Sequence, residues 1–312
     1  MALKMRSFKW KKDFELVRAF LIFTYNLTRS FQNWIPSMFE NIKFGPCGTE
    51  YQDKEDEYIK IWEKAGDSDV SSVSKIVAVT FCKPSGDCWI QIHPDYRFVE
   101  KKIALWIERQ RREIKSNETP ELELRFYVDE IDEKRKALLT ELGYEDSGLN
   151  EYNRIRPIDK PIPEYQPPKG FTIKSVDVEE DFVKYKKVQA AVFPHCSRMT
   201  KRTAKTYSTA SFYKRDLDLV AVDRNGDFAA FCTVRIDPVS RMAELEPVGT
   251  HPDYRKLGLA RSVICEGLHR LQKYCPSSMC ILGAAPSEAA NRLYESIGFT
   301  EKTEVHLWRK KL

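Results

Sequence analysis

Residues 244–260 read Glu-Leu-Glu-Pro-Val-Gly-Thr-His-Pro-Asp-Tyr-Arg-Lys-Leu-Gly-Leu-Ala. The pattern is a strand, then a tight loop, then the first turn of a helix. After Arg255, the small residues Gly258 and Ala260 let backbone N–H groups converge, and the helix that follows adds its own free N–H groups and positive dipole end. Such a loop suits a phosphate or a pyrophosphate. Pro247 lies inside the strand and has no N–H to give to a ladder. The strand is therefore expected to be bulged or unpaired on one side there, leaving a slot with free backbone groups at Val248, Gly249 and Thr250. Glu244 and Glu246 are two apart, so both point to one face of the strand, next to the phosphate loop.

The same stretch reveals an internal repeat. His-Pro-Asp-Tyr-Arg occurs at residues 93–97 and again at 251–255. Each copy follows a strand and precedes a long helix with apolar spacing, then a strand, then a helix ending in Leu-Gly-Tyr (142–144) or Ile-Gly-Phe (297–299). Two domains of one fold follow. Pro157, Pro161, Pro163, Pro167 and Pro168 mark a stiff, extended linker, so the expected division is residues 1–156, a linker at 157–169, and residues 170–312. In the first domain, strands are expected at 5–10, 58–64, 74–83, 88–92 and 122–128, with helices at 13–28, 33–41, 98–115 and 130–142. In the second, strands are expected at 171–175, 217–222, 228–236, 242–250, 279–283 and 301–308, with helices at 178–192, 200–211, 260–274 and 287–297. The fold class is α+β: two domains in tandem, each a mixed, splayed central sheet with helices on both faces.

Composition excludes several classes. The chain has 51 basic and 46 acidic residues, and the net charge of +5 is a mild bias, not a nucleic-acid footprint. No stretch approaches a membrane span and no secretory leader is visible, so no membrane partner is expected. The eight cysteines form no Cys-x-x-Cys pair and no His/Cys cluster at ligand spacing. Neither a metal nor a disulfide framework is expected, and Cys82, Cys232, Cys265 and Cys280 read as buried thiols in a reducing, cytoplasmic setting. Oligomeric state is not legible.

Arg255-Lys256-Leu257-Gly258-Leu259-Ala260 matches an Arg/Gln-x-x-Gly-x-Gly/Ala signature. Downstream, Ala290-Asn291-Arg292-Leu293-Tyr294-Glu295-Ser296-Ile297-Gly298-Phe299 reads as Ala-x-x-Leu-Tyr-x-x-x-Gly-Phe. Both motifs, in this order, resemble the GNAT superfamily of acyl-CoA-dependent N-acyltransferases. The resemblance implies that acetyl-CoA is the co-substrate, with its pyrophosphate on the N–H groups of Lys256, Leu257, Gly258, Leu259, Ala260 and Arg261. It implies that the pantetheine arm pairs in the slot at Val248–Thr250, with the Val248 N–H facing the oxyanion. By position Glu244 matches the site of the base in several members, and Glu246 shares its face and could serve instead. Tyr294 aligns with the tyrosine that protonates the leaving thiolate. Ser287 stands where many relatives have a cofactor-touching asparagine, which leaves Asn291 as a further contact.

The resemblance thus implies an acetyl transfer to a primary amine, small-molecule or peptide, by direct attack in a ternary complex. The alternative is an acetyl-CoA-binding sensor or interaction module without turnover. In the first half, alignment of the pentapeptides sets Glu100 opposite Gly258, Lys102 opposite Ala260, and Gly86 and Cys88 opposite Glu244 and Glu246; between Leu-Gly-Tyr and Ile-Gly-Phe, Leu139 falls opposite Tyr294. A carboxylate at a phosphate seat repels the ligand, so the first domain is expected to be a degenerate copy.

Overall fold

The structure, a computed structural model, describes residues 2–31, 34–47, 54–65, 73–113 and 122–312. The chain divides into two compact units: Met1–Phe39, Tyr51–Glu151 and Thr303–Leu312 form one, and Glu40–Glu50 with Tyr152–Lys302 form the other.

In the first unit β1 (Leu3–Ser7), β2 (Ile59–Lys64), β3 (Ile76–Cys82) and β4 (Asp87–Ile92) make an antiparallel meander. A parallel step leads to β5 (Glu123–Asp129), which pairs antiparallel with β12 (Glu301–Lys311). Helices α1 (Trp10–Thr28), α2 (Pro36–Phe44), α3 (Glu55–Tyr58), α4 (Glu100–Glu113) and α5 (Glu133–Glu141) complete it, α2 passing at its end into the second unit.

The second unit repeats the plan. Strands β7 (Thr172–Ser175), β8 (Asp218–Val222), β9 (Phe228–Ile236) and β10 (Met242–Thr250) are antiparallel. A parallel step leads to β11 (Ser278–Ala284), which pairs antiparallel with the end of β6 (Glu145–Arg156). Its helices are α6 (Phe182–Val192), α7 (Lys201–Tyr207), α8 (Leu259–Leu271) and α9 (Glu288–Ile297). Strand β9 is buried along its whole length because it is covered twice. Ala230, Cys232, Val234 and Ile236 pack with Val263, Ile264 and Leu268 of α8. Phe231 points the other way, toward Tyr185 and Val188 of α6 and Ala204 of α7. Period-two alternation thus gives one strand two apolar faces and sets helices on both sides of the sheet.

The repeat and most expected elements are present, with three differences. First, the expected division at 156/170 does not match the compact units. Strand β12 zips to β5 from Val305↔Asp129 to Lys311↔Glu123, and Trp308 joins the first unit's core. In exchange, residues 152–156 serve the second unit, and the proline-rich segment docks there, with Ile162 and Tyr165 against its core and Lys160 and Pro161 carbonyls accepting from Arg156. Second, β6 was not expected as a strand, since Glu-Asp-Ser-Gly-Leu-Asn-Glu-Tyr-Asn-Arg-Ile-Arg has no apolar alternation. Third, residues 5–10 do not form one strand: β1 ends at Ser7 and Trp10 already opens α1. The helix expected at 33–41 runs Pro36–Phe44, with proline at its first position, and Asn33 lies outside the described residues, as do the last two positions of the helix expected at 98–115.

Candidate active site

Strand β10 is open where Pro247 stands. Against β9 the register slips between Leu245↔Val234 and Val248↔Cys232, so that one extra residue bulges out at Glu246-Pro247, whose peptide bond is cis. Against β11 the parallel ladder runs only through Met242↔Ser278, Ala243↔Met279 and Glu244↔Cys280. Residues 246–250 therefore have no ladder partner on the β11 side. Gly249 is where a side chain cannot fit, since a Cβ there would lie 2.5 Å from the Phe231 ring.

Beyond the slot, His251 Nδ1 accepts from the Asp253 N–H at 3.3 Å and fixes the turn Pro252–Tyr254. The identical His93 Nδ1 accepts from Asp95 N–H at 3.1 Å, so in both copies this imidazole is a turn cap. The loop then takes Lys256 (φ 64°) and Gly258 (φ 80°) through the left-handed region, and Gly258 becomes the N-cap of α8. At this end of α8 the Ser262 N–H donates to the Gly258 C=O at 3.1 Å, which leaves the N–H groups of Leu259, Ala260 and Arg261 ahead of the helical ladder. Arg255, Lys256, Leu257 and Gly258 are exposed, and a Cβ on Gly258 would meet no atom within 4 Å. An anion with its own acceptors fits this open, N–H-lined helix start.

The two glutamates have different surroundings. Glu244 is 1% exposed and pairs with Arg235 directly across the β9–β10 ladder, Nη1 to Oε2 3.3 Å. Arg235 also donates from Nε to the Tyr207 hydroxyl at 3.1 Å and lies over the Phe212 ring. Burial opposes its charge, but Tyr207, Glu244 and Glu246 outweigh that and raise its pKa. Glu246, displaced by the bulge, is half-buried. Burial pushes its pKa up to about 7; Arg235 pulls it down and Glu244 pushes it further up. A carboxylate tuned to neutral pH can accept a proton and release it again. The Tyr294 hydroxyl is raised to about 12 by burial, with the charge of Glu246 as the next cause, so it stays protonated at neutral pH.

Ser287 caps α9, its Oγ accepting from Ala290 N–H at 3.3 Å. The Asn291 side-chain oxygen is taken by Arg154, which is fully buried on β6 and also donates to the Phe299 carbonyl at 3.0 Å and to Glu295 at 3.3 Å. The contact expected from Asn291 toward a cofactor is thus reduced to its amide nitrogen. Sequence reasoning did not single out Arg154 or Arg235. Arg235 carried a signal: it is a lone cation in Phe-Ala-Ala-Phe-Cys-Thr-Val-Arg-Ile, and such a residue must find a partner. Cys232, Cys265 and Cys280 are buried free thiols as expected, and Cys82 is free and half-buried, but the expectation of no disulfide and no His/Cys cluster is overturned. Cys47 and Cys196 form a disulfide although 149 residues separate them, and His195 stands beside it. Spacing along the chain cannot reveal a pair that only folding brings together. Among the described residues no helix is long and apolar enough to cross a membrane.

At the equivalent helix start in the first unit the chain's own carboxylates pair with its arginines. Glu100, opposite Gly258, is buried and accepts from Arg97 Nε and Arg135 Nε, both at 2.6 Å. Asp132 caps α5 as Ser287 caps α9, and it takes both terminal nitrogens of Arg97, at 2.9 and 3.2 Å.

Residues 188–299 match the family model described as Acetyltransferase (GNAT) family. Among curated proteins the chain is 28% identical over 149 residues to a mycothiol acetyltransferase of Thermomonospora curvata, 46% of this chain and 50% of that protein. It is 34% identical over 80 residues to the [ribosomal protein bS18]-alanine N-acetyltransferase of Escherichia coli, 26% of this chain and 53% of that one. The chain spans about half the length of the curated relatives it matches. Two solved structures resemble it over nearly its whole length. One is a GCN5-related N-acetyltransferase from Sphaerobacter thermophilus, with TM-score 0.67, 15% identity and coverage of 99% of this chain and 95% of that one. The other is a tandem GNAT protein from the clavulanic acid biosynthesis pathway, with TM-score 0.68, 14% identity and coverage of 99% and 98%. The family match thus lies within the second unit, and over nearly its whole length the chain has the fold of these solved structures, one of them a tandem GNAT protein.

Proposed function

We propose that the second unit is an N-acetyltransferase site that moves an acetyl group from acetyl-CoA to a primary amine by direct attack in a ternary complex. One observation carries this reading. The β10–β11 ladder breaks at Glu244, and the same strand runs directly into a helix start whose N–H groups and left-handed Gly258 face open space. The N–H groups of Lys256 to Arg261 would hold the diphosphate, and residues 248–250 would pair with the pantetheine arm as an added strand does.

Bound acetyl-CoA supplies an activated thioester carbonyl. Glu246 takes the proton from the acceptor's ammonium, because its carboxylate is half-buried, tuned to about 7 and, among the described residues, not locked in an ion pair. Glu244 holds Arg235 instead. The Val248 N–H donates to the oxyanion that develops as the C–N bond forms. Tyr294 gives its proton to the sulfur as the C–S bond breaks, and the second proton lost from the nitrogen returns to the Tyr294 oxygen, leaving an amide and a free thiol. The acceptor is a small-molecule or peptide amine; the relatives named above acetylate one of each kind.

The test pairs calorimetric titration of acetyl-CoA with thiol release over an amine panel that includes amino-sugar conjugates and peptides with N-terminal alanine. Binding with amine-dependent thiol release supports the reading. Binding without release on any amine gives the alternative, an acetyl-CoA-binding module, and no binding removes both.

A further inference from the structure

The Cys47–Cys196 pair lies within the second unit, outside the groups assigned above. Three anchors fix it. Cys196 is 3% exposed in the turn Pro194–Arg198, which is closed by Cys196 N–H to Phe193 C=O at 2.9 Å and by Met199 N–H to Cys196 C=O at 3.0 Å. The Pro46 carbonyl, beside Cys47, accepts from Thr203 Oγ1 of α7 at 2.6 Å. Seven residues before Cys47, in α2, Glu40 accepts from the Ser211 N–H at 2.6 Å and from Ser211 Oγ at 2.7 Å. The exposed His195 brings a third donor: a ring nitrogen and the two Sγ atoms all lie within 4.8 Å of one another. Tetrahedral zinc with bonds of ~2.3 Å to sulfur and ~2.1 Å to nitrogen places its ligand atoms roughly 3.5–3.8 Å apart, inside that limit.

We propose that, once the disulfide is reduced, Cys47, Cys196 and His195 form a binding site for a thiophilic divalent cation of the zinc class. Two electrons from a dithiol split the S–S bond; the dithiol closes to its own disulfide and its two protons pass to the Sγ atoms. The cation then displaces those two protons, and two thiolates with one neutral imidazole balance its charge. A fourth position stays open to water. The segment 46–47 is therefore fastened to the turn Pro194–Arg198 in two ways, covalently when oxidised and by coordination when reduced. The inference stands independently of the acetyl-transfer reading.

The experiment uses the full chain, reduced with dithiothreitol and desalted without oxygen, then given zinc alone and desalted again. Reduced wild type is expected to retain one zinc ion per chain; oxidised wild type and Cys47→Ser are expected to lose it. Cobalt in place of zinc is expected to give intense visible bands and a thiolate charge-transfer band, the mark of tetrahedral sulfur coordination. His195→Ala changes an exposed side chain outside the disulfide, so its fold, checked by circular dichroism, is expected to be intact while its zinc affinity falls. The proposal is overturned if reduced wild type retains no more zinc than Cys47→Ser. It is equally overturned if His195→Ala binds zinc as tightly as wild type, or if cobalt gives only the weak bands of octahedral coordination.

Discussion

The two units carry the same pentapeptide at the same turn, yet their helix starts have opposite chemistry. The splay itself is common to both: in the first unit the parallel ladder runs only through Asp87↔Arg125 and Cys88↔Phe126, one pair fewer than that of β10 with β11. What differs is who supplies the negative charge. Over α8 the N–H groups and Gly258 face solvent. Over α4 the chain supplies its own anions, because Glu100 and Asp132 neutralise Arg97 and Arg135 from within. Burial works against the charge of Asp132, but Arg135 and Arg97 outweigh it and hold its carboxyl below the usual range. A fold can therefore outlive its ligand site when internal carboxylates replace the ligand's charge, since the arginines stay paired.

The most severe way to break this comparison is to copy Glu100 into the second unit. Gly258→Glu sets a carboxylate against a diphosphate; at roughly 4 Å and an effective dielectric of about 20 the repulsion is about 4 kcal/mol, or about a thousandfold in affinity. The left-handed φ of 80° adds strain for any side chain. Titration with acetyl-CoA measures the loss, and unchanged affinity would remove the phosphate seat from α8.

Next comes Glu246→Gln, which is expected to lower kcat by about 10²–10⁴ with little change in acetyl-CoA affinity. In wild type, kcat/KM should fall as pH drops through about 7, where Glu246 gains its proton, and the variant should lose that limb. The folded pKa is raised above the ordinary 4.5, so the relative stability this group contributes is full below 4.5 and is lost as pH rises through about 7. The Gln variant should accordingly melt higher than wild type above that range and not below it, as read by calorimetry.

An effect on stability rather than on binding or turnover is expected from Glu100→Gln, which leaves the buried Arg135 without its short partner and should cost the first unit about 3–5 kcal/mol in a denaturant melt. It should neither create a second acetyl-CoA site nor change turnover in the second unit; a second equivalent bound per chain would show the first unit's seat to be merely masked. The mildest is Tyr294→Phe, expected to lower kcat by about a hundredfold, at the lower edge of what proton transfer contributes. Full activity in that variant would assign the thiol's proton to water.

Much of this contrast was legible beforehand. The repeated pentapeptide, Glu100 against Gly258, and Pro247 inside a strand are local facts, and local facts fix turn chemistry, ladder donors and charge at a helix start. The bulge appeared where proline removes a donor. Strand β6 and the exchange of β12 were not legible, because their pairing is long-range and the charges on β6 are satisfied by distant groups: Arg154 by Phe299 and Asn291, Arg156 by Ile297. The disulfide was hidden for the same reason.

The order of residues alone settled that two carboxylates stand on one strand beside a proline and ahead of an open helix start. It set Glu244 first for the proton transfer, by its position in the resembled family, with Glu246 on the same face as the other candidate. Folding separated them through cross-strand register. Glu244 falls opposite Arg235 and is consumed by that ion pair, whereas the extra residue at Glu246-Pro247 carries Glu246 out of line, with its carboxylate half-buried and near neutrality. A register is a relation between two strands, and no reading of one of them contains it.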